Sequence, residues 1–224
     1  DAARFRENAE IYHENTFMTG DSIYYERLKE YGQIFRNARI VDTTRKILLL
    51  GHYGELQQKR GFAFMTDSAV SILADKKDSL YMHADTIRAE FDTSNQIRTV
   101  DAWYKVKFFR TDLQGMSDSI HMIAADSAMT MYHEPVLWSD SNQLSADSIT
   151  LKMSNGEADS LKMEGNAFII SKDDSVRYNQ IKGRTLLAKF RNNDLYKIRV
   201  LGNSQTIYYA REEDKTLIGI NSAV

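Results

Sequence analysis

The sequence predicts an all-β protein built from consecutive antiparallel strands. Two short phrases recur along nearly the whole chain, and the residues between them alternate between apolar and polar with period two. In residues 146–170, the phrase Ala-Asp-Ser occurs twice, each time followed by alternating apolar residues, and Asn155-Gly156 separates the copies. Asn-Gly between alternating segments is the strongest short-range signal for a β-hairpin. We therefore expect one strand unit repeated from end to end.

The first phrase is an Asp-Ser pair followed by an apolar residue. Both side chains bond readily to nearby backbone N–H groups, which favours turns over positions in a ladder. Catalysis needs a few groups that converge at one point, whereas a motif that recurs this often indicates repeated local structure. We interpret these pairs as turn-formers rather than catalytic groups. Copies begin at Asp21, Asp67, Asp78, Asp118, Asp126, Asp147, Asp159 and Asp174, and Asp85-Thr86 is a conservative ninth.

The second phrase is a small or amide residue that leads into a strand. It alternates with the Asp-Ser phrase at intervals of about twenty to forty residues, which is typical of repeat architectures. No linker interrupts the pattern, and we therefore expect a single continuous domain over residues 1–224. The copies are Arg36-Asn37-Ala38, Arg60-Gly61-Phe62, Val100-Asp101-Ala102, Gly165-Asn166-Ala167 and Gly202-Asn203-Ser204.

One segment allows a second prediction of its secondary structure. Residues 24–34 contain good helix formers, with Tyr24, Leu28 and Tyr31 at helical spacing. The same segment lies between a copy of each phrase. We therefore favour a strand, a turn and a strand there over a short helix.

Composition excludes several function classes. At 224 residues the chain can bury roughly 70 % of the surface that it exposes when unfolded. A core of this size needs no disulfide bonds or structural metal ions to be stable. A net charge of −2 argues against a nucleic-acid binder that works by bulk electrostatics. Without cysteine there is no disulfide, thiolate metal site or cysteine nucleophile, and the five histidines are scattered. We predict no enzymatic activity, no cofactor and no metal site.

The chain carries no recognisable targeting segment. Its most apolar run, residues 47–50, is far too short to span a bilayer. Because both ends fall within the repeat pattern, we expect a piece excised from a longer, exported protein whose signal segment is not in this sequence.

The alternation of the two phrases resembles the OstA/LptA family of lipopolysaccharide-transport proteins over roughly residues 5–210. The residues that carry the resemblance are Gly165-Asn166-Ala167-Phe168-Ile169, Ala146-Asp147-Ser148-Ile149-Thr150-Leu151, Ala84-Asp85-Thr86-Ile87, Gly20-Asp21-Ser22-Ile23 and Val200-Leu201-Gly202-Asn203. The resemblance implies a long, twisted, open β-jellyroll in the periplasm, with a hydrophobic groove for the acyl chains of lipopolysaccharide. It also implies partners of the same fold, joined end to end by edge-strand addition, including self-association, and no catalytic residues.

Within this framework, the period-two phase selects candidate groove residues. The stretch from Trp103 to Arg110 predicts Tyr104, Val106 and Phe108 on the inner face. The complete set of candidate ligand-binding residues is Ile87, Phe91, Tyr104, Val106, Ile149, Leu151, Met153, Leu161, Met163 and Ile169.

Two other functions remain open from the sequence. The first is a structural or adhesion-type β-repeat of the cell surface, in which the apolar positions form a closed core without a lipid groove. The second, with less support, is a glycan hydrolase, which needs two acidic residues facing each other across a cleft.

Overall fold

The prediction of an all-β fold is confirmed. A computed structural model describes residues 2–13, 15–74, 78–94, 96–139, 141–155, 157–191 and 194–224. These residues form seventeen strands, and their helical content is limited to two short 3-10 turns, Arg27–Lys29 and Gln58–Arg60. Strands that follow each other in sequence pair antiparallel, as in a β-jellyroll.

The chain divides into two compact units. Unit 1 comprises Asp1–Thr111 and Asp118–Ala125, and unit 2 comprises Asp112–Ser117 and Asp126–Val224. The expectation of a single continuous domain stays a prediction.

Unit 1 contains seven complete strands and part of an eighth. These are β1 (Ala2–His13), β2 (Thr16–Glu26), β3 (Tyr31–Asp42), β4 (Ile47–Gln57), β5 (Phe62–Leu73), β6 (Leu80–Phe91), β7 (Ile97–Arg110) and the second half of β8 (Leu113–Ile123).

Unit 2 contains the first half of β8 and the remaining strands, several of which are shorter. These are β9 (Ala128–Tyr132), β10 (Val136–Ser139), β11 (Asn142–Ser145), β12 (Ser148–Ser154), β13 (Glu157–Lys172), β14 (Tyr178–Arg191), β15 (Asp194–Leu201), β16 (Gln205–Arg211) and β17 (Leu217–Ala223).

Five of the long strands, β1, β3, β5, β7 and β13, are interrupted near their middle by a two-residue bulge. In each bulge, two successive residues adopt left-handed backbone angles, such as φ +56° at Arg36 and +48° at Asn37, and the pairing register shifts there. A bulge bends its strand and increases the local twist. Each strand of unit 1 therefore divides into two halves that belong to different layers. The left-handed pairs within strands are Glu7-Asn8, Arg36-Asn37, Asp67-Ser68, Tyr104-Lys105 and Gly165-Asn166, and two similar pairs, His133-Glu134 and Gly202-Asn203, lie between successive strands.

The two sequence phrases meet at these bulges. Asn37 donates a 2.9 Å hydrogen bond from Nδ2 to Oδ1 of Asp21, and Asn166 donates a 3.1 Å bond to Oδ1 of Asp147. An amide from the second phrase thus holds a carboxylate from the first on the neighbouring segment. At Gly20, on the same bend, an added Cβ would lie 2.4 Å from Ile34 Cγ2, so this position requires glycine.

The expectation that Asp-Ser pairs form turns is confirmed at some positions and wrong at others. Asp174 Oδ1 accepts hydrogen bonds from the backbone N–H groups of Val176 and Arg177, as a turn-former does. Asp21 and Asp159, by contrast, lie within β2 and β13. The tertiary structure overrides the local turn preference because neighbouring strands supply partners for both backbone and side chain.

Residues 24–34 form a strand, a turn and a strand, as favoured from the sequence. β2 ends at Glu26, Arg27–Lys29 form a single 3-10 turn, and β3 begins at Tyr31. Glu30 closes the turn with φ +49°.

The core of unit 1 consists of apolar rows that cross the strands on the inner face of each layer. In the first layer, paired residues Ile23, Ile34, Met65 and Ile87 are almost completely buried. The second layer contributes a matching row. Its apolar members are Met18, Ile40, Leu49, Met82 and Phe108.

Candidate functional site

An apolar cavity of about 260 Å³ lies between the two layers of unit 1. Ile40 and Leu49, which are paired on β3 and β4, form its wall on the second layer. The opposite wall belongs to the first layer. That wall contains Leu56, Ala63, Ile87, Ala89, Phe91, Ile97 and Val100.

The walls are apolar because the strand pairing aligns four inner-face positions in one row. Leu56 pairs with Ala63, Ala63 pairs with Ala89, and Ala89 pairs with Val100. Alanine is the smallest side chain with a Cβ, so two neighbouring alanines leave space that a row of leucines would fill. The cavity therefore follows from side-chain size at defined register positions.

Polar residues surround one end of the cavity, where turns rather than strands provide the lining. Thr44, Ser94 and Gln96 lie there and are exposed to solvent. The wall behind them is apolar, so solvent-exposed polar residues at this end border an apolar interior. This combination suits a molecule with an apolar chain and a polar head.

Arg45 connects the two layers at this rim. Its backbone N–H donates a 2.8 Å hydrogen bond to Oδ1 of Asp42, and its guanidinium contacts Oδ2 of the same carboxylate. The guanidinium carbon lies 4.7 Å from the centroid of the Phe91 ring, a cation–π contact. Arg45 follows β3 and Phe91 ends β6, so the contact joins a turn of one layer to a strand end of the other.

The outer face of the first layer carries a polar network centred on Glu55. Its Oε1 accepts hydrogen bonds from Tyr53 Oη at 2.5 Å, Tyr31 Oη at 3.2 Å and Gln33 Nε2 at 3.2 Å. Its Oε2 accepts a fourth from Gln57 Nε2 at 3.0 Å.

These contacts shift the pKa values of the network. Burial opposes the ionisation of Glu55, but the four hydrogen bonds prevail and lower its pKa below the usual range. Burial, the charge of Glu55 and the hydrogen bond to Glu55 raise the pKa of Tyr31 to about 12. Burial and the hydrogen bond to Glu55 also raise the pKa of Tyr53.

The structure brings two predicted groove residues to the cavity. Ile87 and Phe91 both line it. Val106 is completely buried in unit 1 but is not part of the cavity lining.

The prediction that Tyr104 lies on the inner face is wrong. Tyr104 and Lys105 form the left-handed pair of the β7 bulge, with φ +64° and +54°, and the Tyr104 side chain is 61 % exposed. The bulge removes two residues from the alternation, after which Val106 and Phe108 return to the inner face. Tyr104 occupies the position that Gly165 occupies in β13.

The remaining predicted residues lie in unit 2. Leu151 pairs with Leu161 and Ile149 pairs with Met163, and these four side chains are at most 2 % exposed. They belong to the buried core of this unit, and Met153 at the end of the row is half-buried. Ile169 lines a separate hollow of about 460 Å³ together with Leu195 and Ile198. Contact between ligand and any predicted residue stays a prediction.

Sequence reasoning missed most of the cavity lining. Ile40, Leu49, Leu56 and Val100 follow the period-two alternation but did not stand out from other strand residues. The run at residues 47–50 was the only signal available for Leu49. No feature of the sequence indicated the role of Arg45, because its partner Phe91 ends a strand that is distant in sequence.

Two kinds of feature were not found in the described part of the chain: a cluster of metal ligands and a membrane-spanning helix. No group of three or more His, Asp or Glu side chains could hold a metal ion there. No helix in the same residues is long and apolar enough to cross a membrane.

Fold and cavity together define a class, the two-layered antiparallel β proteins that enclose an apolar cavity. A comparison with protein families narrows this class. Residues 55–157 match the model of the family described as "LptA/(LptD N-terminal domain) LPS transport protein". The predicted resemblance is thereby confirmed over this segment, and the family is one of transport proteins rather than enzymes.

Several solved structures also match this chain, and the crystal structure of LptH is among them. The crystal structure of LptH, described as the LptA-homologous periplasmic component of the conserved lipopolysaccharide transport device from Pseudomonas aeruginosa, matches with 10 % identity and a TM-score of 0.47. The match covers 62 % of this chain and 96 % of that chain. A search of the curated proteins gave no match to this sequence.

Proposed function

We propose that this chain is a non-enzymatic periplasmic module of lipopolysaccharide transport, which takes acyl chains of the lipid into the cavity of unit 1. The observation that carries the proposal is the apolar cavity between the two layers, with its polar rim. The family match supports it, because residues 55–157 include much of the cavity wall, from Leu56 to Val100.

The chemistry of the cavity suits a lipid chain. Its walls are mainly aliphatic or aromatic, with Ser71 and Gln58 among them, and burial of each methylene in an apolar environment contributes about 0.8 kcal/mol. Burial is not directional, so chains of different length can enter and leave without a change in hydrogen bonding. Arg45 and the buried Asp42 line the cavity beside the exposed Thr44, and we place the polar head group of the lipid at this end.

Partners of the same fold join this module by strand addition, in our proposal. Within its unit, β17 pairs along one side with β16, and β1 pairs with β2 in the same way. An edge strand with free backbone groups is a template for another strand. Ile218 and Ile220 on β17 are more than 60 % exposed, and a partner strand would cover them.

The proposal is tested by filling the cavity. Ala89→Trp places an indole inside the lining, whereas Thr99→Trp places one on the outer face of the same layer, since Thr99 lies beside the cavity residue Val100. Displacement of two methylenes costs about 1.6 kcal/mol, or more than tenfold in affinity. We expect weaker binding of purified lipopolysaccharide by Ala89→Trp and unchanged binding by Thr99→Trp.

Crosslinking gives an independent readout. A photo-reactive residue in place of Phe91 is expected to crosslink to lipopolysaccharide, and one in place of the exposed Tyr104 is not. If both tryptophan variants bind like the parent and neither position crosslinks, the cavity is not the lipid site.

The alternative, a structural β-repeat with a closed core, is favoured by one observation in unit 2. Ile149, Leu151, Leu161 and Met163 are at most 2 % exposed and line neither the cavity of unit 1 nor the hollow at Ile169. On this alternative, lipopolysaccharide binds neither the parent protein nor the Thr99→Trp variant.

A further inference from the structure

The outer face of the second layer of unit 1 carries an apolar row that crosses strands β1 to β7. Each member of the row is the pairing partner of the next, so the side chains are neighbours in space. Because neighbouring strands lie about 4.8 Å apart, the row is roughly 29 Å long. We call it the outer row, and its members are Tyr12, Phe17, Val41, Leu48, Ile72, Tyr81 and Phe109.

The outer row points away from the core, because each of its members is next in sequence to a residue that faces inward. Met82 and Phe108 are 4 % exposed, whereas their sequence neighbours Tyr81 and Phe109 are each 45 % exposed. At the β1 end of the row, Tyr12 is 75 % exposed. The aromatic ends of the row are therefore in contact with solvent.

The corresponding row on the outer face of the first layer is mostly polar. Gln33 pairs with Glu55 there, and Arg88 pairs with Asp101. The hydrogen bonds around Glu55 belong to the same face. Water solvates a polar face well, whereas a long apolar row is more favourable against an apolar partner. The two outer faces of unit 1 thus differ in the partner that they suit.

Basic side chains border the outer row on both sides. Arg39 and Lys107 lie in the neighbouring row, towards the bulges, and Lys46 lies in the β3–β4 turn on the other side. All three are exposed, and no ion pair among the described residues includes any of them. By strand pairing, the neighbouring row consists of Glu10, Thr19, Arg39, Leu50, Val70, His83 and Lys107.

The acidic groups near the row do not cancel this charge. Glu10 lies at the β1 end, where the neighbouring basic residue Arg39 is two strands away. Asp78 lies beside the Phe109 end, and its Oδ2 accepts hydrogen bonds from the backbone N–H and the hydroxyl of Thr111. These bonds, together with the charge of Arg110, hold the pKa of Asp78 below its usual range. The border of the row therefore stays positive, although the chain as a whole has a net charge of −2.

We propose that this face docks on the surface of a lipid bilayer that contains anionic phospholipids. Tyrosine is enriched where a protein meets the membrane–water interface, because its ring is apolar and its hydroxyl stays hydrated. Lysine and arginine next to such a surface are attracted by anionic head groups. The outer row supplies the first feature at Tyr12 and Tyr81, and Arg39, Lys46 and Lys107 supply the second.

The β3–β4 turn connects this face to the cavity of unit 1. Thr44 and Arg45 of this turn line the cavity, and Lys46 follows them directly. Docking thus places the polar end of the cavity near the bilayer. No member of the outer row lines the cavity, so the proposal goes beyond the proposed function and does not depend on it.

A second copy of this chain suits the face less well. If two such faces packed against each other, the basic borders of one copy would lie against those of the other. Like charges in close contact oppose association, whereas an anionic surface complements them. Charge complementarity therefore favours the bilayer.

Flotation of the purified protein with lipid vesicles tests the proposal. One set of vesicles contains phosphatidylcholine alone, and the other contains equal parts of phosphatidylcholine and phosphatidylglycerol. We expect binding to the anionic vesicles to be at least tenfold tighter and to weaken as the salt concentration rises, because salt screens the attraction between the basic residues and the head groups.

Aromatic variants test the contact of the outer row. Tyr81→Ser and Phe109→Ser are each expected to weaken binding to the anionic vesicles about tenfold, because each removes apolar area that the bilayer would cover. Tyr208→Ser is the control, since Tyr208 lies on β16 and is 52 % exposed. It is expected to leave binding unchanged. Equal thermal melting of the variants and the parent would show that the losses are local.

Charge variants test the border. Arg39→Gln and Lys107→Gln are each expected to weaken binding to the anionic vesicles about fivefold and to leave the weak binding to phosphatidylcholine unchanged. Lys182→Gln removes an exposed lysine of β14 and is expected to have no effect.

Four outcomes would overturn the proposal. Equal binding to both kinds of vesicle would remove the role of the basic border, and no binding to either would exclude a bilayer as the partner. Self-association that Tyr81→Ser abolishes, seen by analytical ultracentrifugation without vesicles, would show that a second copy covers the row. Loss of vesicle binding in Ala89→Trp would show that phospholipid enters the cavity instead, whereas we expect this variant to bind vesicles like the parent.

Discussion

Gly51 provides the sharpest test of how the bulges shape this fold. It lies on β4 opposite Ala38, the residue that follows the left-handed pair Arg36-Asn37. A Cβ at this position would lie 2.6 Å from Met65 Cγ and 2.8 Å from the backbone oxygen of Thr66. Met65 can move part of its side chain, but the Thr66 oxygen belongs to the backbone of the paired strand β5.

The expected cost of Gly51→Ala follows from these distances. Overpacking of a dense interior costs about 1–3 kcal/mol when neighbours must shift. Alanine also reduces the entropy of the unfolded chain, which offsets about 0.4–1 kcal/mol. We therefore expect Gly51→Ala to lower the free energy of unfolding by about 1–2 kcal/mol.

Urea denaturation followed by tryptophan fluorescence and circular dichroism measures this difference, with Gly219→Ala as the control. Gly219 lies in β17, and a Cβ there would meet no heavy atom within 4 Å. The control is expected to be neutral or stabilising by less than about 1 kcal/mol. If both substitutions change stability equally, the close approach of β4 and β5 at the bulge is not a constraint on the sequence.

Two further predictions concern stability. Ile149 is completely buried, so Ile149→Asp places an unpaired carboxylate in the core of unit 2 and is expected to unfold this unit in circular dichroism, whereas Ile149→Val costs only about 1 kcal/mol. The lowered pKa of Glu55 means that its ionised form stabilises the fold above the unfolded-state pKa and that this contribution is lost as the pH falls through the folded-state pKa. Melting temperatures between pH 7 and about pH 3 are therefore expected to fall less for Glu55→Gln than for the parent, and equal slopes would contradict the role of the network.

The recurring phrases were informative because their physical cause is local. Asn37 and Asn166 tolerate left-handed backbone and can donate a side-chain hydrogen bond, so the same residue type recurs where the same bend is needed. The carboxylates that accept those bonds, Asp21 and Asp147, recur in the other phrase. Both phrases could be recognised from the sequence, but their contact could not, because the partners are 16 and 19 residues apart.

The candidate site was predicted only in part. Ile87 and Phe91 were found because alternation locates an inner face, and Tyr104 was misplaced because alternation does not hold within a bulge. The residues in the unit 2 core follow the same alternation as Ile87. Period two distinguishes inside from outside, but it does not distinguish a packed core from the wall of a cavity.

The sequence by itself determined the all-β class, the antiparallel succession of strands and the positions of most bends, since these depend on alternation and on residues with local backbone preferences. Only the tertiary structure decided where space remains between the layers and where charges gather. The cavity exists because the small residues Ala63 and Ala89 align across β5 and β6. Such alignments depend on strand register. The register is set by pairing contacts throughout the unit, so it cannot be predicted from the sequence of any one segment.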